Sequence, residues 1–279
     1  MPRDRHVRWL AGFVTSIFSA VLAIQATDGA AADRLHQEPS AWTYTALGDS
    51  IAVGSSSDGG YPQLVRQALQ EQVGVPVQLI NLACVGCTTT DLRRSIESDR
   101  RFRTAVAQAQ VVSWNIGGND LLAARRALAS GSCGGSDGQE CLRDTVQRFR
   151  QNWDAIMAEI TSLTSGSAAV ALTMDVYDPL VGAERAAPPG GGRGEFGVIL
   201  AHLDDISSYI SMTAAANSVE FAPVRAAFNG PDGREDPGSK GLLIDPIHPS
   251  DLGQRLIADL LVDAGTSRVD ALREELGNR

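Results

Sequence analysis

The sequence predicts an α/β fold built on a parallel sheet with helices on both faces. Three observations carry this. Short apolar runs alternate with helical patterns along the chain, in β-α-β-α order. Each run reads as apolar along its whole length, as expected of strands covered on both sides. No internal repeat and no break in composition marks a second domain.

The elements follow in order. Residues 42–47 read as the first strand, followed by a turn and a helix over about 61–72. Residues 77–82 and 111–116 read as the second and third strands, each followed by a turn and a helical pattern. A long helix over about 140–163 leads to a fourth strand at 168–174. A helix over about 198–217 leads to a short fifth strand at 219–222. The tail from Ser250 reads as one or two amphipathic helices. In such sheets ligands bind beyond the carboxyl ends of the strands. The segments after Leu47, Leu82, Ile116 and Met174 are therefore expected to line one pocket. Two long Gly/Pro-rich loops, 178–195 and 229–241, are expected to border it.

Composition narrows the function. The chain has 279 residues, a 43% apolar fraction and a net charge of −9. That acidity argues against nucleic acid as a partner, since phosphates call for excess Lys and Arg. Residues 1–32 read as a signal peptide: Arg3, Arg5 and Arg8, then an apolar run to about residue 26, then Ala30-Ala31-Ala32 as a small-x-small cleavage site. An uncleaved anchor is the other reading, because the run is at the lower limit for spanning a bilayer. Residues 33–40 form a polar leader and 41–279 the single domain. The protein is expected to be secreted, extracellular or periplasmic, with no stable membrane anchor after cleavage.

Export bears on the cysteines. Cys84, Cys87, Cys133 and Cys141 are even in number, which outside the cytoplasm points to disulfides. A zinc site fits less well, because seven residues separate the second pair. The segment between Cys133 and Cys141 holds three glycines and no apolar residue, so a covalent clip is a plain way to order it. Cys84 then pairs with Cys87; cross-pairing between the two loops is the alternative.

Four segments carry chemistry. Gly48-Asp49-Ser50 places a serine at the first strand-to-helix turn, where a helix cap is the plainer reading. Gly86 lies in the loop after the second strand, where a glycine lets backbone N–H approach a ligand. Asn119, in Gly117-Gly118-Asn119-Asp120, can donate a side-chain amide at the third strand end. Asp245-Pro246-Ile247-His248-Pro249 holds a histidine in a rigid turn, three residues after a carboxylate. His36 sits in the polar leader and His202 within a helical pattern. A serine nucleophile needs a base, an orienting carboxylate and donors for the oxyanion. The chain offers each part once.

In this order and spacing the four segments resemble the blocks of the SGNH (GDSL-type) hydrolases, over residues 47–253. The resemblance implies a three-layer α/β/α, flavodoxin-like sandwich. It implies Ser50 as nucleophile, His248 as base and then acid, and Asp245 as its orienting group. The oxyanion hole would be the Ser50 N–H, the Gly86 N–H and the Asn119 side chain. Similar exported proteins carry turns like Tyr177-Asp178-Pro179-Leu180 after the fourth strand. The chain departs from the family where Cys87 follows the oxyanion glycine. No metal or organic cofactor is expected. The expected substrate is a small-molecule, lipid or glycan ester, cleaved by hydrolysis; acyl transfer to another acceptor at the same site is the alternative. A non-enzymatic binding module on this fold would not need every catalytic position filled. A phosphate site using Ser50, Ser55, Ser56 and Ser57 would not need His248 with Asp245.

Overall fold

The computed structural model describes residues 41–55, 60–186 and 196–278. The signal segment, the polar leader with His36, Ser56 and Ser57, and the 188–192 Pro/Gly run lie outside the described residues.

Five parallel strands form one sheet in the order β2-β1-β3-β4-β5: β1 (Trp42–Gly48), β2 (Val77–Asn81), β3 (Val111–Asn115), β4 (Val170–Met174) and β5 (Glu220–Ala222). Parallel neighbours need crossover connections, and the helices supply them. Alternate residues of each strand face opposite layers. Trp42, Tyr44 and Ala46 of β1, with Val170, Leu172 and Met174 of β4, pack into one core. That core is completed by α2 (Gly60–Val73), α9 (Val224–Asn229) and α10 (Asp251–Gly277). Leu47, Val112, Trp114 and Ala171 point the other way. They pack under α3 (Thr89–Ser98), α4 (Arg100–Ala107), α5 (Gly118–Ala129), α6 (Glu140–Thr164) and α8 (Phe196–Ala216). The result is the α/β/α sandwich expected from the sequence, with the 2-1-3-4-5 order of flavodoxin-like sheets.

Three details differ from the expectation. Only β1, β3 and β4 are largely enclosed; β2 and β5 are edge strands, and Gln78 and Asn81 of β2 face solvent. The tail from Ser250 is one helix, α10. The interior strands also bury hydroxyl side chains that find partners: Tyr44 Oη and Ser113 Oγ are 2.6 Å apart, Thr45 Oγ1 donates to Ala105 O, and Thr173 Oγ1 donates to Trp114 O. Pairing keeps these groups from the cost of an unmet buried hydrogen bond.

The strand order reverses between the neighbours β1 and β3: from β1 the chain passes to β2 at one edge, and from β3 it passes through β4 to β5 at the other. The crevice beyond that switch point is where such sheets hold ligands. It is formed by the ends of β1, β3 and β4.

Candidate active site

Ser50 is the first residue of α1 (Ser50–Val53), a single turn directly after β1. The helix cap is Asp49, whose Oδ1 accepts from Ile51 N at 3.0 Å. Because Asp49 takes that role, the Ser50 hydroxyl is left to make another bond. Gly48 makes the sharp turn possible. Its φ is +143°, and a Cβ there would collide with Asn115. That close approach lets Asn115 Nδ2 donate to Asp49 Oδ1 at 2.7 Å, while Tyr61 Oη donates to Asn115 Oδ1 at 3.0 Å. Burial pushes the Asp49 carboxyl up to about 6, against the lowering effect of these two N–H donors. Gln254 of α10 clamps the same turn from outside: Oε1 accepts from Tyr61 N and Nε2 donates to Ile51 O.

His248 reaches Ser50 from the far end of the chain. Leu243 and Pro249 form an antiparallel bridge. Ile244 N donates to His248 O and Ser250 N to Leu242 O, closing the loop between them. Inside it one carboxylate does two jobs. Asp245 Oδ1 accepts from Ile247 N at 2.8 Å and His248 N at 2.7 Å, which fixes the turn. Asp245 Oδ2 lies 2.8 Å from His248 Nδ1, which fixes the ring. His248 Nε2 then lies 3.1 Å from Ser50 Oγ. Desolvation would raise the Asp245 carboxyl, but the bonds from His248 and Ile247 outweigh it and hold it below its ordinary value. Asp245 is therefore an anion at neutral pH.

Asn119 stands in the first turn of α5, beyond β3, and borders the same slot as Ser50. It does not cap its helix. Nδ2 donates to Cys87 O at 2.9 Å, which leaves the second amide hydrogen available to the slot. Its neighbour Asp120 turns away, accepting from Thr89 N at 2.9 Å and Thr89 Oγ1 at 2.7 Å and so tethering the start of α3.

Gly86 is placed differently from the other site residues. Cys87 N donates to Cys84 O across a four-residue turn, with Gly86 at its third position and φ +78°. Cys84 and Cys87 are joined by a disulfide across this turn, and Cys133 and Cys141 by another across the α5–α6 loop. Gly86 is exposed and is not among the residues lining the slot. The expectation that the segment after Leu82 lines the pocket is thus corrected. The segment meets the site through the Cys87 carbonyl, because the bridged turn projects into solvent.

The slot is lined by the segments after Leu47, Ile116 and Met174, with Leu203 of α8 and Ile247. Of the two loops expected at its border, the first contributes Asp178 and Pro179 and contains a short helix, α7 (Val181–Ala186). The second contributes nothing to the lining. It buttresses the first instead: Asn229 Nδ2 donates to Asp178 O, and Asn229 Oδ1 accepts from Asp178 N at 2.7 Å. Sequence reasoning missed Tyr177 as a site residue although it singled out its turn. Tyr177 is buried, borders the slot, and its hydroxyl donates to Ile247 O at 2.6 Å. A tyrosine immediately before the Asp-Pro turn was the available signal.

A serine, a histidine and a carboxylate in a hydrogen-bonded line at a strand end are equipped for acyl transfer. Comparison with known proteins gives the lineage. The model of the GDSL-like lipase/acylhydrolase family matches residues 46–256. The chain belongs to that family. It is an SGNH-type carboxylic ester hydrolase. The fold agrees with solved relatives. The lipase Lip_vut3 from a goat rumen metagenome is similar at 20% identity with a TM-score of 0.65, over 82% of this chain and 99% of that one. The extracellular lipase from Streptomyces rimosus is similar at 21% identity with a TM-score of 0.55, over 80% and 99%. The acetyl xylan esterase AlAXEase is similar at 21% identity with a TM-score of 0.52, over 80% and 98%. A comparison with curated proteins finds no match. Among the described residues of this hydrolase, no helix is long and apolar enough to cross a membrane, and no cluster of His, Cys, Asp and Glu could hold a metal ion.

Proposed function

We propose that this SGNH hydrolase cleaves carboxylic esters through an acyl-enzyme on Ser50. The observation that carries the reading is the continuous line from Asp245 Oδ2 through His248 to Ser50 Oγ, with contacts of 2.8 and 3.1 Å. His248 Nε2 accepts the Ser50 proton as Oγ attacks the ester carbonyl. Asp245 holds the Nδ1–H tautomer and stabilises the imidazolium that forms. The imidazolium then gives its proton to the leaving alkoxide, and the alcohol departs. Water repeats the sequence on the acyl-enzyme, releasing the acid and restoring Ser50.

The oxyanion takes its hydrogen bonds from two donors beside the slot. The Ser50 N–H starts α1 and so lies outside the intrahelical ladder. The Asn119 amide is fixed in plane by Cys87 O. Gly86 is proposed as a third donor, carried on the bridged turn. The substrates are esters of lipids, small acyl groups or acetylated sugars. We read the protein as exported, in line with its two disulfides.

Hydrolysis of p-nitrophenyl butyrate tests the reading. The wild-type protein should turn it over. Ser50→Ala and His248→Ala should both lose the activity, while Asp245→Asn should lose less than His248→Ala. Wild-type rates in His248→Ala would refute the assignment.

A further inference from the structure

We propose that the enzyme selects esters of short acyl groups, acetyl to butyryl, because the slot beside Ser50 is narrow and is closed at its inner end by a buried ionic cluster. This rests on the reading of Ser50 as nucleophile.

The slot runs along one face of α5. Gly118, Leu121, Leu122 and Arg125 all line it, and these positions recur at helical spacing on a single face. Gly118 lies against the Asp49 carboxylate, next to Ser50. Arg125, seven residues further on, is therefore about 10 Å away along the helix. Between these ends the walls are apolar, with Ile116, Met174 and Leu203 facing the leucines.

Those side chains leave little room. The cavity that a water-sized sphere can enter is about 60 Å³. An apolar cavity of about 150 Å³ holds one benzene, and the slot offers less than half of that. A butyryl group fills it; an octanoyl group does not fit without displacing a wall.

The inner end cannot yield as a leucine wall can. The Arg125 guanidinium is buried, and its Nη2 donates to Asp178 Oδ2 at 2.6 Å. Its Nη1 approaches Glu184 Oε1 to 3.0 Å without the alignment of a hydrogen bond. Burial pushes the Glu184 carboxyl up to about 7. An alkyl chain that reached this cluster would press on charged groups and offer them no hydrogen bond, which is unfavourable. Asp178 is also held by Asn229 through its backbone N–H and carbonyl. The cluster is thus braced from both sides of the slot. Esters of short acids enter and react, and longer chains are turned away before their carbonyl reaches Ser50.

The test is a panel of p-nitrophenyl esters from acetyl to dodecanoyl, each below its micelle-forming concentration, on the wild type and two Leu122 variants. Leu122 is half-buried, so its replacement spares the deep core. The wild type should show its highest kcat/KM between acetyl and butyryl, with octanoyl at least tenfold lower. Leu122→Ala should raise the octanoyl-to-butyryl ratio at least fivefold. Leu122→Trp should lower the butyryl-to-acetyl ratio. Octanoyl hydrolysed as fast as butyryl by the wild type overturns the proposal, as do variants that leave these ratios unchanged. Loss of all ester hydrolysis in the wild type, with no phosphonate adduct on Ser50, would instead remove the nucleophile assignment.

Discussion

The Tyr177 hydroxyl donates to the Ile247 carbonyl at 2.6 Å, tying the turn after β4 to the loop that carries Asp245 and His248. The ring is held against Phe228, with centroids 4.4 Å apart. Through the Ile247 carbonyl, Tyr177 holds the loop on which the imidazole stands. Tyr177→Phe keeps the ring packing and removes the one bond. Stability should fall by about 1 kcal/mol, and kcat by roughly tenfold as the 3.1 Å contact to Ser50 loosens. KM should stay near wild type, because the phenylalanine ring keeps its place in the slot wall against Phe228. Steady-state kinetics decide the matter, and an unchanged kcat would show that the loop positions itself.

The Asn119 amide should act mainly in the transition state. With one N–H fixed on Cys87 O, the other is preset for the developing oxyanion. Asn119→Ala should lower kcat by roughly 10²–10³-fold, the usual cost of one such donor. KM should change little, since the bond strengthens only as charge develops. A variant with wild-type kcat removes Asn119 from the site.

The Cys84–Cys87 bridge should matter more to activity than to folding. It braces the turn whose Cys87 carbonyl anchors Asn119. A Cys84→Ser/Cys87→Ser double variant should keep its sheet, seen by circular dichroism, and lose most of its kcat. The Cys133–Cys141 bridge lies across the α5–α6 loop and serves as its comparison. Loss of activity only in step with unfolding would contradict this division of labour.

Much of the sandwich was legible because its signals are local. The runs that became β1, β3 and β4 are apolar and short, and the long helical stretches before and after β4 became α6 and α8. Ser50, Asp245 and His248 were legible because each is a distinctive residue in a turn. The supporting groups were not, because their partners lie far off in sequence. Asn115 reads as the polar end of an apolar strand until it meets Asp49, 66 residues away. Tyr177 finds Ile247 across 70 residues. The helix α7 sits in what reads as a loop, where Glu184 pairs with Arg125. That the segment after Leu82 stays off the slot wall was not legible, because its bridged turn sets an orientation that spacing alone does not encode.

The buried Asp49 carboxyl gives a stability prediction with a definite sign. Its value is raised from 3.8 to about 6, chiefly by burial. A raised carboxyl binds its proton more tightly in the folded state. It therefore contributes stability that is full below 3.8 and is lost as pH rises to about 6. Asp175, also raised to about 6 by burial, adds to the trend, while His202, lowered by burial, opposes it. Asp49→Asn keeps the Oδ1 acceptor for Ile51 and Asn115 and removes the titration. Thermal unfolding between about pH 4 and 7 should show a smaller loss of stability in the variant, by roughly 2–3 kcal/mol. Parallel curves for the two proteins would show that Asp49 carries none of it.

The most direct test of the account is covalent labelling of the full-length enzyme by a p-nitrophenyl alkylphosphonate, followed by peptide mapping. Among the described residues, Ser50 is the one serine whose hydroxyl the structure sets 3.1 Å from His248 Nε2. One adduct per chain on Ser50, lost in Ser50→Ala and greatly slowed in His248→Ala, is the predicted result. An adduct on a different serine, or ester hydrolysis that survives in Ser50→Ala, would contradict it.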